Sequence, residues 1–223
     1  MPRGDVVLLD FEGVYFFQPE LLQKATHIDL RHLKSVKYMC DESTLERVAE
    51  NMKCRAFISF LGDSAYHHFS YIFLTQIDTN FELVVLDNHR DDMKKTSPLI
   101  TCDNWIRKAK RLENLEAVHI VRKMDQLPRH FEHPIYLSID KDVLSDRFLK
   151  LGWDQGTMTL DELFESVEFL CENFTVVGVD ISGEPRDLFE MERSEQINLR
   201  LLDIVLRYAK RPSGLSLFRL SPR

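Results

Sequence analysis

Short apolar runs rich in β-branched residues recur along the chain, at Val6–Asp10, Ala56–Phe60, Leu83–Leu86, Ala117–Val121, Ile135–Ile139, Val176–Ile181 and Leu215–Leu220. Runs this short and this continuously apolar read as strands buried on both faces. Between them apolar residues return at helical spacing, over Ser43–Met52, His68–Ile77, Asn104–Leu112, Leu160–Glu172 and from about Glu190 to Tyr208. Thr159-Leu160-Asp161-Glu162 carries a hydroxyl at the N-cap and a carboxylate three residues on, the capping-box pattern that starts a helix at Leu160. Alternating strands and helices predict a three-layer αβα fold, a mostly parallel sheet with helices on both faces. Ligands of such sheets bind beyond the carboxyl ends of the strands, so the chemistry is expected directly after the apolar runs.

A chain of 223 residues suits one α/β domain over residues 1–223, because Gly and Pro are scattered and neither a linker nor a repeat marks a boundary. The net charge of −7 speaks against a nucleic-acid partner. Arg107, Lys108, Lys110 and Arg111 read as a solvated helix face, and Lys94-Lys95 is the other local basic patch. Cys40, Cys54, Cys102 and Cys171 form no C-x-x-C pair and no secretory leader precedes them, so they are expected to be reduced thiols. No run approaches the roughly 18 to 20 apolar residues that a membrane span needs. The expectation is a soluble cytoplasmic protein.

Three of the strand ends are acidic, and two of them carry paired carboxylates. Phe81–Leu86 runs into Asp87-Asn88-His89-Arg90-Asp91, and in an extended chain residues at i, i+2 and i+4 share a face, so Asp87, His89 and Asp91 can converge. Ile135–Ile139 runs into Asp140-Lys141-Asp142. If the two strands are neighbours, four carboxylates and an imidazole meet, and so much buried negative charge requires compensation. Two divalent cations would cancel it. An oxygen-rich set with imidazole suits Mn²⁺ above all, with Mg²⁺, Zn²⁺, Fe²⁺ and Co²⁺ as alternatives. Arg90 alternates with these residues and is expected to face away, paired with Asp92 or an acidic helix. Trp105 reads either as helix packing or as a pocket wall. His119, His130 and His133 show no partner pattern.

Asp-x-His-x-Asp after one strand (Asp87, His89, Asp91) and Ser-x-Asp-x-Asp after a later one (Ser138, Asp140, Asp142) together resemble the signatures of the ureohydrolases, the arginase and agmatinase superfamily. The resemblance runs from about Phe57 to Pro185 and includes Gly178–Pro185, similar to the strand-end segment in which that family carries a substrate-facing Glu, here Glu184. It implies an arginase-like fold and a sixth ligand, a His in a segment that corresponds to Leu61-Gly62-Asp63-Ser64-Ala65-Tyr66-His67-His68. An ungapped match puts Ser64 there; a short insertion brings His67, the preferred candidate, with His68 its rival. By the same resemblance Asp87 and Asp140 bridge two metals, His89 and Asp142 complete one site, and His67 and Asp91 the other. A water activated by the metals would attack the trigonal carbon of a guanidinium or linear amide, Asp142 would carry a proton to the departing amine, and Glu184 would orient a cationic nitrogen. The implied partner is a small cationic or amide substrate, and homo-oligomers are compatible with it. Met93–Trp105 replaces the family's substrate-recognition segment without matching it.

Three rivals have features in the chain. A single-zinc deacetylase of the same fold would use Asp87, His89 and Asp142. A non-catalytic member would bind metal without hydrolysis. Ile139–Leu144 also resembles the Asp-x-Asp motif of haloacid-dehalogenase-type phosphatases, although that motif normally stands near the N-terminus.

Overall fold

The structure, a computed structural model, describes residues 5–52, 56–93 and 97–212. Its strands are β1 (Val6–Asp10), β2 (Thr26–Asp29), β3 (Met39–Cys40), β4 (Ile58–Phe60), β5 (Phe81–Leu86), β6 (Ile100–Thr101), β7 (Leu115–Val121), β8 (Ile135–Asp140) and β9 (Val176–Ser182). Its helices are α1 (Pro19–Lys24), α2 (Glu42–Asn51), α3 (Ser70–Leu74), α4 (Trp105–Ala109), α5 (Leu160–Asn173) and α6 (Leu188–Tyr208), joined in places by short 3-10 turns. Seven strands form a parallel sheet in the order β2-β1-β4-β9-β8-β5-β7, and β3 and β6 make a small antiparallel pair beside it.

The pleat sends alternate residues to opposite faces, and this builds two cores. Val6 and Leu8 of β1, Val84 and Leu86 of β5 and Leu137 and Ile139 of β8 pack with Leu21 of α1, Leu163 and Val167 of α5 and Leu201 and Val205 of α6. Val7 and Leu9, and Leu83 and Val85, pack the other way with Val48 of α2, Phe73 of α3 and Ile106 of α4. The expected αβα arrangement is therefore what the chain adopts. Strands β1, β5, β8 and β9 are buried along their whole length, which is why they read as unbroken apolar runs.

Two differences from expectation have local causes. β2 was not foreseen, because it is a half-exposed edge strand with a mixed pattern. The helix expected from His68 begins earlier, as a 3-10 turn over Ser64–Phe69 with Asp63 at its N-cap, and passes into α3. The segment Leu215–Leu220, like Cys54 and the Lys94-Lys95 patch, lies outside the described residues. The capping box at Thr159 forms in full, with the hydroxyl accepting from Glu162 N and the Glu162 carboxylate from Thr159 N. No helix of the described residues is long and apolar enough to cross a membrane.

The sheet order matters for the site. β9, late in the chain, inserts between β4 and β8, and β5 lies on the far side of β8. The carboxyl ends of β4, β9, β8 and β5 thus stand side by side, although their sequences are spread from residue 58 to residue 182.

Candidate metal centre

Asp87 follows β5 directly, and Leu86 is in register with Ile139, so Asp87 and Asp140 leave neighbouring strands together. The next residues do not continue as extended strand. Asp91 takes a left-handed backbone (φ 47°), a conformation that Asp and Asn tolerate better than most side chains, and the loop curls back. Asp87, His89 and Asp91 therefore converge through a curled loop rather than through the strand alternation expected from their spacing. Asp87 Oδ1 accepts from His89 N and tightens that loop. On β8, Asp140 Oδ1 accepts from Asp142 N at 3.0 Å, starting a 3-10 turn that brings the second carboxylate forward. Asp142 Oδ1 in turn accepts from Asn88 N at 3.0 Å, tying the two loops to each other.

All six residues expected at the centre are brought together. His67 Nδ1 stands 3.3 Å from Asp87 Oδ2, 3.3 Å from Asp91 Oδ2 and 3.4 Å from Asp140 Oδ2. His89 Nδ1 lies 2.7 Å from Asp142 Oδ2 and 3.7 Å from Asp87 Oδ1. Two groups of candidate ligand atoms result, His67-Asp87-Asp91 and Asp87-His89-Asp142, each within 4.8 Å and sharing Asp87. Of the three residues open for the sixth position, His67 alone joins such a group. Ser64 instead donates its hydroxyl to Asp140 Oδ1 at 2.8 Å, and His68 packs at a tilt against Phe69 with both ring nitrogens buried.

The donor set fits a cation on an observation independent of motif. Ser138 Oγ donates its one proton to Asp180 Oδ1 at 2.7 Å, so it must accept from His67 Nε2 at 2.8 Å. With the proton on Nε2, a neutral His67 turns the bare lone pair of Nδ1 toward three carboxylate oxygens. Both Nδ1 and Asp87 Oδ2 are buried without a hydrogen-bond partner. That arrangement is repulsive unless a proton or a metal ion sits among the atoms. Without metal the protein answers by holding protons. Burial, then Asp91 and Asp142, push the Asp87 carboxyl well above the carboxylate range. Burial and Asp142 raise Asp140 to about 7. Burial pulls His67 down, but the facing carboxylates outweigh it and raise its pKa. Asp142, ahead of other causes, lifts His89 to about 9. The His89 side chain is 38% exposed while Asp87, Asp140 and Asp142 are sealed, so the centre meets solvent on the His89 side.

Glu184 requires a correction. It was expected to face a cationic substrate, but its side chain is wholly buried and its oxygens are engaged inside the protein. Lys141 Nζ and Asn198 Nδ2 each donate to Oε1 at 2.7 Å, and Ser194 Oγ and Gln18 Nε2 donate to Oε2. The cation that Glu184 orients is Lys141, which the 3-10 turn after β8 buries between two acidic neighbours. Burial depresses the Lys141 ammonium and Glu184 opposes that effect.

Other residues complete the surroundings of the centre, and of these Trp105 had been read as helix packing or a pocket wall. Trp105 is fully buried and donates Nε1–H to Asp91 Oδ2 at 2.8 Å, with its ring 4.8 Å from that of His67. Ser182 Oγ donates to Asp140 Oδ2 at 3.0 Å. Gly183 has φ 91°, and a Cβ there would stand 2.8 Å from both Asp140 Oδ1 and Lys141 N, so only glycine lets β9 pass this close. Arg90 turns outward onto Asp92 as expected. His119 pairs with Glu82 at 2.7 Å, a partner 37 residues away in sequence that no local pattern reveals.

No family model matches the chain. An uncharacterized protein of Thermotoga maritima is 32% identical over 213 residues, covering 87% of each chain. Solved structures share the fold at low identity. Proclavaminate amidino hydrolase from Streptomyces clavuligerus superposes with a TM-score of 0.65 at 14% identity, covering 93% of this chain and 94% of that one. Formimidoylglutamase from Bacillus subtilis gives 0.64 at 13%, over 89% and 85%. Arginase from Bacillus subtilis gives 0.60 at 14%, over 91% and 97%. The chain thus belongs to one family with the Thermotoga maritima protein, and its fold is that of the arginase and agmatinase superfamily, the ureohydrolases.

Proposed function

We propose that this protein is a metal-dependent hydrolase of the ureohydrolase type, cleaving a C–N bond in a guanidinium or linear amide substrate. The observation that carries the reading is the pair of candidate ligand groups sharing Asp87, with the partnerless Nδ1 of His67 aimed among three carboxylates. His67, Asp87, His89, Asp91, Asp140 and Asp142 would hold two divalent ions, Mn²⁺ by preference because the set is rich in oxygen. Such ions, when bound, supply Lewis acidity and lower the pKa of a water toward neutrality. The protein's own groups do the rest. The Ser138–Asp180 chain fixes the tautomer of His67. Asp142, hydrogen-bonded through Oδ2 to His89 beside the solvent-facing opening, is the group assigned to carry a proton to the leaving nitrogen. A small cationic or amide substrate is the partner of this reading.

The test is elemental analysis of the purified protein beside Asp140→Ala, with turnover measured on guanidino and linear amide compounds after manganese loading. Two metal ions per chain, lost together with turnover in the variant, are expected. One zinc per chain with deacetylation would favour the single-metal alternative, and no bound metal under any loading condition would overturn the reading.

A further inference from the structure

Next to the candidate centre, a cavity of about 290 Å³ opens where the chain leaves β1, β4 and β9. Val14, Phe17, Leu188 and Met191 give it apolar walls, and Glu12, Lys37, Asp63 and Arg186 give it charge. The cavity and the centre share structure. Asp63 precedes Ser64, which holds Asp140, and Asp63 Oδ1 accepts from Trp153 Nε1 at 2.8 Å while the Trp153 ring stands edge-on to His89 at 6.3 Å. Trp153 thus connects the two places, bonded to the Asp63 that lines the cavity and set edge-on to His89 of the candidate centre.

The charged groups of the cavity are not equally engaged. Asp63 Oδ1 receives two N–H donors, from Trp153 and Ala65, and Oδ2 receives Arg186 Nε at 2.8 Å. Glu12 is paired with Lys37. The carboxylates are therefore occupied, whereas Arg186 spends only Nε on Asp63 and one N–H on a long 3.4 Å contact to the Tyr38 hydroxyl among the described residues. Its side chain is 52% exposed. A guanidinium offers five donors in a flat fork, so the cavity has donors to spare for an anion and few acceptors for a cation. Around the mouth, Phe17 and Leu188 are 53% and 60% exposed, an apolar lip that a polar ligand would not need.

We propose that this cavity takes the tail of the substrate, an apolar stem ending in a carboxylate, with Arg186 receiving the carboxylate and the scissile C–N group reaching past Trp153 to the candidate centre. The tail site stands on its own geometry; only the fate of the head group rests on the hydrolase reading. Arg186 is then a specificity-determining residue, and a substrate lacking the anionic end is bound less well than its carboxylate counterpart.

Isothermal titration of the whole protein, both metal-free and manganese-loaded, with 3-phenylpropionate and 3-phenylpropylamine as probes tests this. The carboxylate is expected to bind in both forms and the amine in neither, and Arg186→Met is expected to weaken the carboxylate by about tenfold or more. Leu188→Glu, at an exposed position of the lip, is expected to do the same by adding a repelling charge without disturbing the interior. Equal binding of the two probes, no binding of the carboxylate, or binding unchanged in both variants would overturn the proposal. Because the metal-free arm needs neither metal nor turnover, failure of the hydrolase reading leaves this result standing, and failure here leaves the metal analysis standing.

Discussion

The indole N–H of Trp105 reaches Asp91 Oδ2 at 2.8 Å, the same oxygen that stands 3.3 Å from His67 Nδ1. An aromatic residue at the start of α4, buried in the core, thereby fixes the direction of a carboxylate whose own backbone is left-handed. Trp105→Phe keeps most of the apolar volume and removes the donor. Groups that orient metal ligands typically contribute a factor of about 10 to 100 in metal affinity, so the expected loss is about tenfold. Manganese titration of the variant measures it, and unchanged affinity with an intact fold would show that Asp91 needs no such support.

Lys141 and Glu184 form an ion pair with both side chains fully buried, and Gln18, Ser194 and Asn198 complete it. Removing one partner of a buried pair leaves the other charge uncompensated, at a cost of about 3 to 5 kcal/mol. Glu184→Ala is therefore expected to lower the urea midpoint strongly, and Lys141→Met in the same chain to restore part of the loss. This separates a structural Glu184 from a substrate-binding one. A variant of unaltered stability with a raised KM would return Glu184 to the substrate.

Asp87, Asp140 and His67 all have raised pKa values in the metal-free protein. A group whose folded pKa exceeds its unfolded value stabilises the fold fully below the unfolded value, near 4 for Asp and 6.5 for His, and loses that contribution as pH rises through the folded value. For Asp140 the loss extends to about pH 7. Chelator-treated protein is thus expected to melt at lower temperature as pH climbs from about 5 to 8, and added Mn²⁺ to raise Tm more at the upper end, where it replaces the missing protons. A metal-induced shift that shrinks with rising pH would contradict the proposed ligand set.

Much of this molecule is legible in the chain because its strongest features are local. Buried parallel strands leave unbroken apolar runs, and the capping box at Thr159 is complete within four residues. The Asp-x-His-x-Asp and Asp-x-Asp spacings mark strand ends by composition alone. The first motif nevertheless works by a different geometry from the pleat alternation its spacing suggests: the left-handed Asp91 brings Asp87, His89 and Asp91 round. Glu184 was misread for a related cause. A carboxylate after a strand looks the same in sequence whether it faces solvent or a buried lysine.

The αβα layering, the acidic strand ends and the short list of groups that could bind a cation are written in the chain, since each depends on neighbours within a few residues. Only the tertiary structure decided which groups meet. His67 rather than His68 or Ser64 enters the cluster because β9 inserts between β4 and β8 and sets the 3-10 turn after β4 against Asp140 and Ser138. The same packing gives Trp105 to Asp91, Glu184 to Lys141 and Asp63 to Arg186. Those partners lie 14, 43 and 123 residues apart, and side-chain direction at such separations is set by sheet order and helix packing, which no local pattern encodes.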